Sequence, residues 1–330
     1  MKKLFTLALL GIVAISNAQY NSKNLTIKET ANVQFTYKNL RLYPIYANQT
    51  FIDAHKDIGK YTPLQKALEQ KKVAVTETVG TSPNSNLNQQ NVQSGGETVN
   101  TLYIENTSND TIMLMAGEVV KGGKQDRVLA QDMILTPRSG KKDISVFCVE
   151  QGRWTYSEDS KKADNAFYGY SKVSSMNVRK VAVVDKSQQK VWENVKDVTS
   201  KNSAATESGT YTALDTSKKY NADLKGYSDY FKAMMKTQGN VIGVVACTGD
   251  KVIGCDMFAT TDMFNLYFEN LMNSYSTEAI TNGSSAKTDY KTVQTYLDKF
   301  LVDESKQEEE LKKNGTFLKH RGKKLHCASF

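Results

Sequence analysis

Residues 115–127 read MAGEVVKGGKQDR, in which two β-prone runs flank a Gly-Gly pair. Glycine adopts positive φ angles at no steric cost, so Gly122 and Gly123 suit the tight turn of a β-hairpin. Folding the chain back at this turn would place Glu118 opposite Arg127, where a carboxylate and a guanidinium form a natural cross-strand pair. The stretch therefore predicts antiparallel β structure.

The same β pattern extends to both sides of the hairpin. From Val99 to Trp154, short β-prone runs alternate with turn signals, which predicts an antiparallel sheet. Upstream, Val33–Tyr46 and Val73–Val79 also read as strands. Between them, Thr62 followed by a proline predicts a short helix that ends near Lys71.

The second half of the chain alternates helix and strand signals. Apolar residues spaced three or four apart predict helices at residues 187–199, 224–234, 263–271 and 290–312. The strands predicted here are residues 178–184, 241–247, 251–258 and 323–330, the middle two forming a hairpin. Residues 157–175 read as an irregular linker or surface loop.

These patterns predict an α+β fold. A largely antiparallel β-sheet is expected in the N-terminal half, and mixed helices with a β-hairpin in the C-terminal half. We expect residues 19–156 to form the β-rich half and residues 157–330 the α+β half, packed on the first as one globular unit. Hydrophobic residues make up 39% of the chain, enough for a core without help from a metal or disulfide.

The first 18 residues have the features of a cleavable secretory signal peptide. Lys2 and Lys3 precede an apolar run from Leu4 to Ile15, and the small residue Ala18 follows at the expected cleavage position. The run is too short to span a bilayer comfortably. We therefore expect an exported protein, periplasmic or extracellular, with no transmembrane anchor after cleavage.

The charge of the chain argues against a nucleic-acid partner. Loss of Lys2 and Lys3 lowers the formal net charge from +8 to about +6, and the remaining lysines are dispersed along the sequence. Dispersed lysines are typical of a solvated surface, not of a basic stripe that follows a phosphate backbone.

The four cysteines leave two alternatives open. They are Cys148, Cys247, Cys255 and Cys327. Export would allow disulfides, with three possible pairings, and buried free thiols are the alternative. In the hairpin of residues 241–258, Cys247 would face Val252 and Cys255 would face Val244, a register that disfavours a bridge between the two cysteines.

Two segments are rich in polar residues that could bind a ligand. The first is residues 115–127, and the second is residues 146–154, VFCVEQGRW, which ends in an arginine and one of only two tryptophans. Arginine offers a fork of donors and tryptophan a stacking face, so a small polar or anionic ligand is expected. The candidate binding residues are Glu118, Lys124, Gln125, Arg127, Glu150, Arg153, Trp154 and, from the 241–258 hairpin, Asp256.

The same residues could also have roles that need no bound ligand. They could form structural salt bridges that fix strand register. Glu118 and Glu150 could instead serve a hydrolase as acid and base, if the fold brings them together. No metal or cofactor is predicted, because His55, His320 and His326 have no zinc-site spacing with the cysteines. Whether the protein is an enzyme stays open.

The two segments resemble the ARG and rhodanese-phosphatase-superfamily-associated domain family. The likeness covers Gly117–Arg127 and Phe147–Trp154, and extends to Asn39-Leu40, Gly254 with Asp256, and the closing His326. The resemblance implies a shared site at the motif positions Glu118, Gln125, Arg127, Glu150, Arg153 and Trp154. The family's name suggests a link to nucleotide or ADP-ribose chemistry, but no established activity comes with it.

Three functions are therefore expected in descending order. The first is an exported protein that binds a small polar or phosphorylated, nucleotide-like ligand at the Glu/Arg/Trp cluster. The second is a metal-independent hydrolase of a nucleotide-like or glycosidic bond. The third is a structural or interaction module of the cell envelope.

Overall fold

The computed structural model describes residues 20–30, 34–78, 92–93 and 97–330, so the predicted signal peptide lies outside the described residues. The strands are β1 (Leu25–Thr26), β2 (Thr36–Tyr37), β3 (Leu40–Ala47), β4 (Thr62–Pro63), β5 (Val73–Glu77), β6 (Val92–Gln93), β7 (Glu97–Thr98), β8 (Thr101–Asn106), β9 (Ile112–Leu114), β10 (Glu118–Gly122), β11 (Arg127–Leu129), β12 (Met133–Leu135), β13 (Gly140–Cys148), β14 (Phe167–Val173), β15 (Val241–Thr248), β16 (Lys251–Phe258), β17 (Gly315–His320) and β18 (Lys323–Ser329).

The helices lie mostly in the second half of the chain. They are α1 (Gln49–His55), α2 (Leu64–Glu69), α3 (Glu158–Lys162), α4 (Met176–Lys180), α5 (Gln188–Lys201), α6 (Lys218–Met235), α7 (Thr261–Thr281), α8 (Tyr290–Leu297) and α9 (Glu304–Asn314). A π-helical turn, Val181–Asp185, continues α4, and a 3-10 helix spans Tyr211–Thr216. None of the helices in the described part of the chain is long and apolar enough to cross a membrane.

Two antiparallel sheets organise these elements. The larger has seven strands in the order β1-β3-β15-β16-β18-β17, with β2 paired to β3 beside this path. The smaller has six strands in the order β14-β10-β11-β13-β8-β5. Each sheet takes strands from both sides of residue 156, because β3 pairs with β15 and β10 pairs with β14.

Helix α7 lies against both sheets and shapes the centre of the molecule. It contacts β3, β15 and β16 of the larger sheet and β14 of the smaller one. The Thr260 side chain accepts a hydrogen bond from the Met263 amide and so caps the first turn of the helix. Apolar residues such as Phe264, Leu271 and Tyr275 are buried along its length. Thirteen of its 21 residues are buried, so the helix contributes to the core over most of its length.

The α+β class is confirmed, and most of the predicted elements are present. Antiparallel strands occupy the region from residue 99 to residue 154, the hairpin turns at Gly249 between β15 and β16, and β18 lies in the larger sheet between β16 and β17. Helix α5 begins after Ser187, whose side chain accepts from the Lys190 amide. Helices α6 and α7 include the predicted apolar stripes of residues 224–234 and 263–271.

Three element predictions are wrong. Residues 178–184, predicted as a strand, lie in α4 and the π-helical turn, because burial against neighbouring elements outweighs the β preference of valine. Residues 157–175, predicted as irregular, contain α3 and the strand β14. The single helix at 290–312 is two helices, since Asp303 caps a new helix by accepting from the Lys306 amide.

Two strand registers also differ from the sequence predictions. Arg127 lies opposite Val120, not Glu118, because the turn of the first hairpin includes Lys124, Gln125 and Asp126 as well as the glycines. In the second hairpin Cys247 faces Val252 as predicted, but an irregularity after this pair places Cys255 opposite Val245.

The four cysteines are all buried and free. Burial raises the pKa of Cys247 and of Cys327 to about 12, so both thiols are protonated at neutral pH. Of the two alternatives that the sequence left open, the structure therefore shows buried free thiols.

Candidate functional site

The structure divides the predicted site residues between two groups of buried polar side chains. We call the first the core cluster, made of Glu118, Asp132, Arg179, Asp256 and His326. We call the second the loop cluster, made of Glu77, Gln125, Asp126, Arg127, Glu150 and Arg153.

The core cluster is built on a bidentate ion pair. Arg179 of α4 donates from Nη2 to Asp256 Oδ1 at 2.9 Å and from Nη1 to Asp256 Oδ2 at 3.1 Å. Both side chains are fully buried. Tyr275 of α7 donates its hydroxyl to the same carboxylate. Burial by itself would raise the pKa of Asp256, but Arg179 and His326 hold it well below its usual range, so the carboxylate is ionised.

His326 links this pair to a second carboxylate. Its Nδ1 lies 2.7 Å from Asp132 Oδ2 and its Nε2 lies 3.1 Å from Asp256 Oδ1. Burial would lower the pKa of His326, but the two carboxylates raise it to about 9. The imidazolium therefore donates from both nitrogens, and the chain Arg179–Asp256–His326–Asp132 contains two positive and two negative charges.

Glu118 is a neutral acid that lies within electrostatic range of Asp132 and Arg179 and is not hydrogen-bonded to them. Its Oε2 accepts from the Met115 amide at 2.7 Å, and its Oε1 accepts from the Tyr170 hydroxyl at 3.2 Å. Burial raises the pKa of Glu118 to about 8, and the charge of Asp132 adds to the increase. A carboxyl group with this pKa is mostly protonated at pH 7, so the whole core cluster is close to neutral.

Gly117 makes room for the core cluster. Its φ is +94°, and a Cβ at this position would lie 2.3 Å from Arg179 Cγ. Arg179 Nε donates to the Ala116 carbonyl at 3.2 Å, so the arginine fits directly against this turn. A glycine is required here by both the backbone angle and the space.

The loop cluster is organised by Arg153. Its Nε and Nη2 donate to both oxygens of Glu150, with the shortest distance 2.6 Å, and Nη2 also lies 3.4 Å from Asp126 Oδ1. Its Nη1 donates to the carbonyls of Gly123 at 2.8 Å and Thr155 at 2.9 Å. Every nitrogen of the guanidinium is therefore used to join the 122–126 turn to the loop that follows β13.

The neighbouring polar residues are tied into the same turn. Gln125 donates from Nε2 to the Glu150 carbonyl at 2.7 Å, and Arg127 donates from Nη1 to the Gln125 carbonyl at 2.9 Å. Arg127 Nη2 lies 3.5 Å from Glu77 Oε2, while its Nε is buried without a hydrogen-bond partner among the described residues. Burial raises the pKa of Asp126, and the charge of Glu150 adds to this effect.

Exposed aromatic side chains lie beside the loop cluster. Trp154 follows Arg153 in the chain, and Tyr168 lies on β14 next to the end of β10; each is 44% exposed. The Lys124 ammonium lies 5.6 Å from the centroid of the Tyr156 ring. We call the side chains of Lys124, Trp154, Tyr156 and Tyr168 the rim.

The structure brings together only part of the predicted site. Gln125, Arg127, Glu150 and Arg153 form one network, with Lys124 and Trp154 at its exposed side. Glu118 and Asp256 belong instead to the core cluster, where the hydrogen-bond partners of Glu118 differ from those of Glu150. The proposed acid and base are therefore found in two different networks.

Sequence reasoning left three members of the core cluster out of the candidate site, namely Asp132, Arg179 and His326. Arg179 follows Val178 in a valine-rich segment that reads as a strand, which hid its position on a helix facing Asp256. Asp132 lies between β11 and β12 with no local motif around it. Among the residues that the structure describes, no group of three or more His, Cys, Asp or Glu side chains is arranged to hold a metal ion.

Comparison with known proteins agrees with the motif resemblance. The model of the ARG and Rhodanese-Phosphatase-superfamily-associated Protein domain matches residues 28–327, nearly the whole chain after the predicted signal peptide. No curated protein and no solved structure matches the chain. The family resemblance inferred from the two polar segments is confirmed.

Proposed function

The chain belongs to the ARG and Rhodanese-Phosphatase-superfamily-associated Protein domain family, and from this premise we propose that it is an exported protein that binds a small polar or phosphorylated, nucleotide-like ligand. The ligand would lie on the rim, over the loop cluster. In this proposal the buried arginines position the binding surface and do not touch the ligand.

The exposure of Trp154 and Tyr168 is the observation that carries the proposal. Together with Leu266 they are the exposed large hydrophobic side chains of the described residues, and the two aromatic ones flank the same turn. Exposed aromatic rings near a lysine suit a ligand with a flat ring and a negative charge, because the ring stacks and the ammonium attracts the anion.

The loop cluster supports such a surface by holding its backbone. Arg153 is bonded to carbonyls on both sides of the rim, those of Gly123 and Thr155. A surface fixed in this way loses little conformational entropy when a ligand binds. In this proposal a phosphate would contact the Lys124 ammonium, which lies beside the Tyr156 ring on the rim.

A binding experiment with matched variants tests the proposal. Titration calorimetry with AMP and with glucose 6-phosphate would compare the wild type with Trp154→Ala and Tyr168→Ala. Loss of ring stacking is expected to weaken AMP binding by about tenfold or more. Leu266→Ala is the matched control, because Leu266 is 43% exposed but lies on α7.

Two outcomes would overturn the proposed site. One is equal AMP affinity for the wild type and the two aromatic variants. The other is an equal loss in the Leu266→Ala variant, which would indicate a general effect on the fold.

Export from the cytoplasm is a separate part of the proposal. It is tested by locating the tagged full-length chain after cell fractionation.

The full pairing of Arg153 favours a second candidate, an interaction module of the cell envelope without a small ligand. In this case the rim would contact another macromolecule, and neither AMP nor glucose 6-phosphate would bind. Hydrolysis by Glu118 and Glu150 is less well supported, because both carboxyl groups are buried and lie in separate networks.

A further inference from the structure

A second concave surface lies far from these motifs in the sequence. An open hollow of about 560 Å³ is formed between the start of β16 and the helix α8. Its lining residues are Lys251, Val252, Lys291, Thr292, Thr295, Tyr296 and Lys299. None of these residues belongs to the core cluster, the loop cluster or the rim.

The hollow is strongly positive. Three of its lining residues, Lys251, Lys291 and Lys299, are lysines, and no acidic residue among those described lines it. In the described part of the chain, none of the three ammonium groups has a carboxylate within 4.0 Å. Several lysines elsewhere on the surface are paired with acids, as Lys319 is with Glu304 and Glu308.

Two of the acids nearest in sequence, Asp289 and Asp298, are engaged in the helix α8, whereas Asp250 beside Lys251 is exposed. Asp289 accepts from the Thr292 amide at 2.8 Å and caps the helix, and Asp298 accepts from Gln294 Nε2 at 2.7 Å. These bonds orient the two carboxylates toward their own backbone and side-chain donors. None of these carboxylates lies within ion-pair distance of a lysine of the hollow, so the three ammonium groups can contact a bound anion.

The remaining lining residues suit a small molecule. The Tyr296 hydroxyl lies 2.7 Å from Ser329 Oγ, which fixes the aromatic ring as a wall of the hollow. Val252 adds apolar surface, while the Thr295 hydroxyl donates to the Lys291 carbonyl at 2.9 Å within the helix. A volume of about 560 Å³ lies within the range of small-molecule sites, which runs from about 300 to 1,000 Å³.

We propose that this hollow is a binding site for a small molecule with two or more closely spaced negative charges of the phosphate type. The three lysines would neutralise the anion, and Tyr296 and Val252 would contact the rest of the molecule. The site is independent of the proposed function, because it shares no residue with the rim.

Inorganic pyrophosphate is the probe for the test. Its affinity would be measured by titration calorimetry at low salt for the wild type and for Lys251→Gln/Lys291→Gln/Lys299→Gln. Loss of three charge contacts is expected to weaken binding by roughly 10- to 100-fold. Each single substitution should weaken it by about two- to fivefold.

The control removes the same charge elsewhere. Lys56, Lys60 and Lys236 are exposed and form no ion pair with a described residue, so Lys56→Gln/Lys60→Gln/Lys236→Gln lowers the net charge equally. This control should keep pyrophosphate affinity within about twofold of the wild type.

Three results would overturn the inference: no pyrophosphate binding by the wild type, equal binding by the hollow variant, or an equal loss in the control variant. The last would show attraction to net charge alone. Trp154→Ala should leave pyrophosphate affinity unchanged, so failure of this site and failure of the proposed function are distinguishable.

Discussion

Asp256 shows at the scale of a single residue how the core cluster restricts the fold. Its carboxylate contacts Arg179, His326 and Tyr275, which come from three different elements. A buried charge without its partner is very costly, whereas a buried pair contributes little relative to apolar residues. The main role of Asp256 is therefore to avoid the cost of a buried, unpaired Arg179, and the ion pair itself adds little to the free energy of unfolding.

Neutralising Asp256 should be strongly destabilising. We expect Asp256→Asn to lower the free energy of unfolding by about 3–5 kcal/mol, because Arg179 would stay buried without a counter-charge. The measurement is urea unfolding followed by circular dichroism. Asp229→Asn is the control, since Asp229 pairs with Lys225 on the surface and its loss should cost at most about 1 kcal/mol. Similar losses in both variants would contradict a special role for the buried pair.

Among the secondary-structure elements, helix α7, which packs against both sheets, was predicted from local sequence. The spacing of apolar residues in the sequence predicted both a helix at residues 263–271 and the apolar stripe along it. Both features are local, and both are present in the structure. By contrast, β14 was missed because the strand is defined by its pairing with β10, about 50 residues earlier in the chain.

The cap of α7 should contribute measurably to stability. Thr260→Ala removes the side-chain acceptor for the Met263 amide and is expected to lower the free energy of unfolding by about 0.5–2 kcal/mol. Thr260→Ser keeps the hydroxyl and is the matched control. The measurement is thermal unfolding of both variants. Equal melting temperatures for Thr260→Ala and Thr260→Ser would show that the cap does not contribute to stability.

At the scale of the whole molecule, the core cluster predicts how stability depends on pH. His326 has a folded pKa of about 9, above its usual value near 6.5. Its contribution to the free energy of unfolding is therefore complete below about pH 6.5 and is lost as the pH rises through 9. Glu118 acts in the same direction, because its folded pKa of about 8 lies above its usual range. Its contribution is complete below about pH 4.5 and is lost as the pH rises through 8.

Stability should therefore fall from about pH 4.5 to pH 9, through Glu118 up to pH 8 and through His326 above pH 6.5, with each group contributing up to about 1.4 kcal/mol per pH unit while it titrates. The measurement is the urea midpoint as a function of pH. Glu118→Gln should make the decrease shallower between about pH 4.5 and pH 8, whereas Glu207→Gln on the surface should leave it unchanged. An Asp256 pKa below the usual range predicts a separate loss of stability in acid, below about pH 4.

The candidate site was partly accessible from sequence. Gln125, Arg127, Glu150 and Arg153 were predicted to meet, and they do, because two neighbouring turns of one sheet bring them together. The sequence did not show that groups within the protein already accept hydrogen bonds from the Arg153 guanidinium. It depends on backbone carbonyls such as that of Gly123, whose direction is set by the folded turn.

The sequence by itself determined the α+β class, most of the helices and the two hairpin turns, since these depend on side-chain chemistry within a few residues of the chain. It also carried the motifs by which the chain was assigned to its family. Only the tertiary structure decided that Arg179 and His326 meet Asp256, at sequence separations of 77 and 70 residues. The physical reason is that a buried charge needs its partner within a few ångströms, and strand order in the larger sheet, not local sequence, places these three residues side by side.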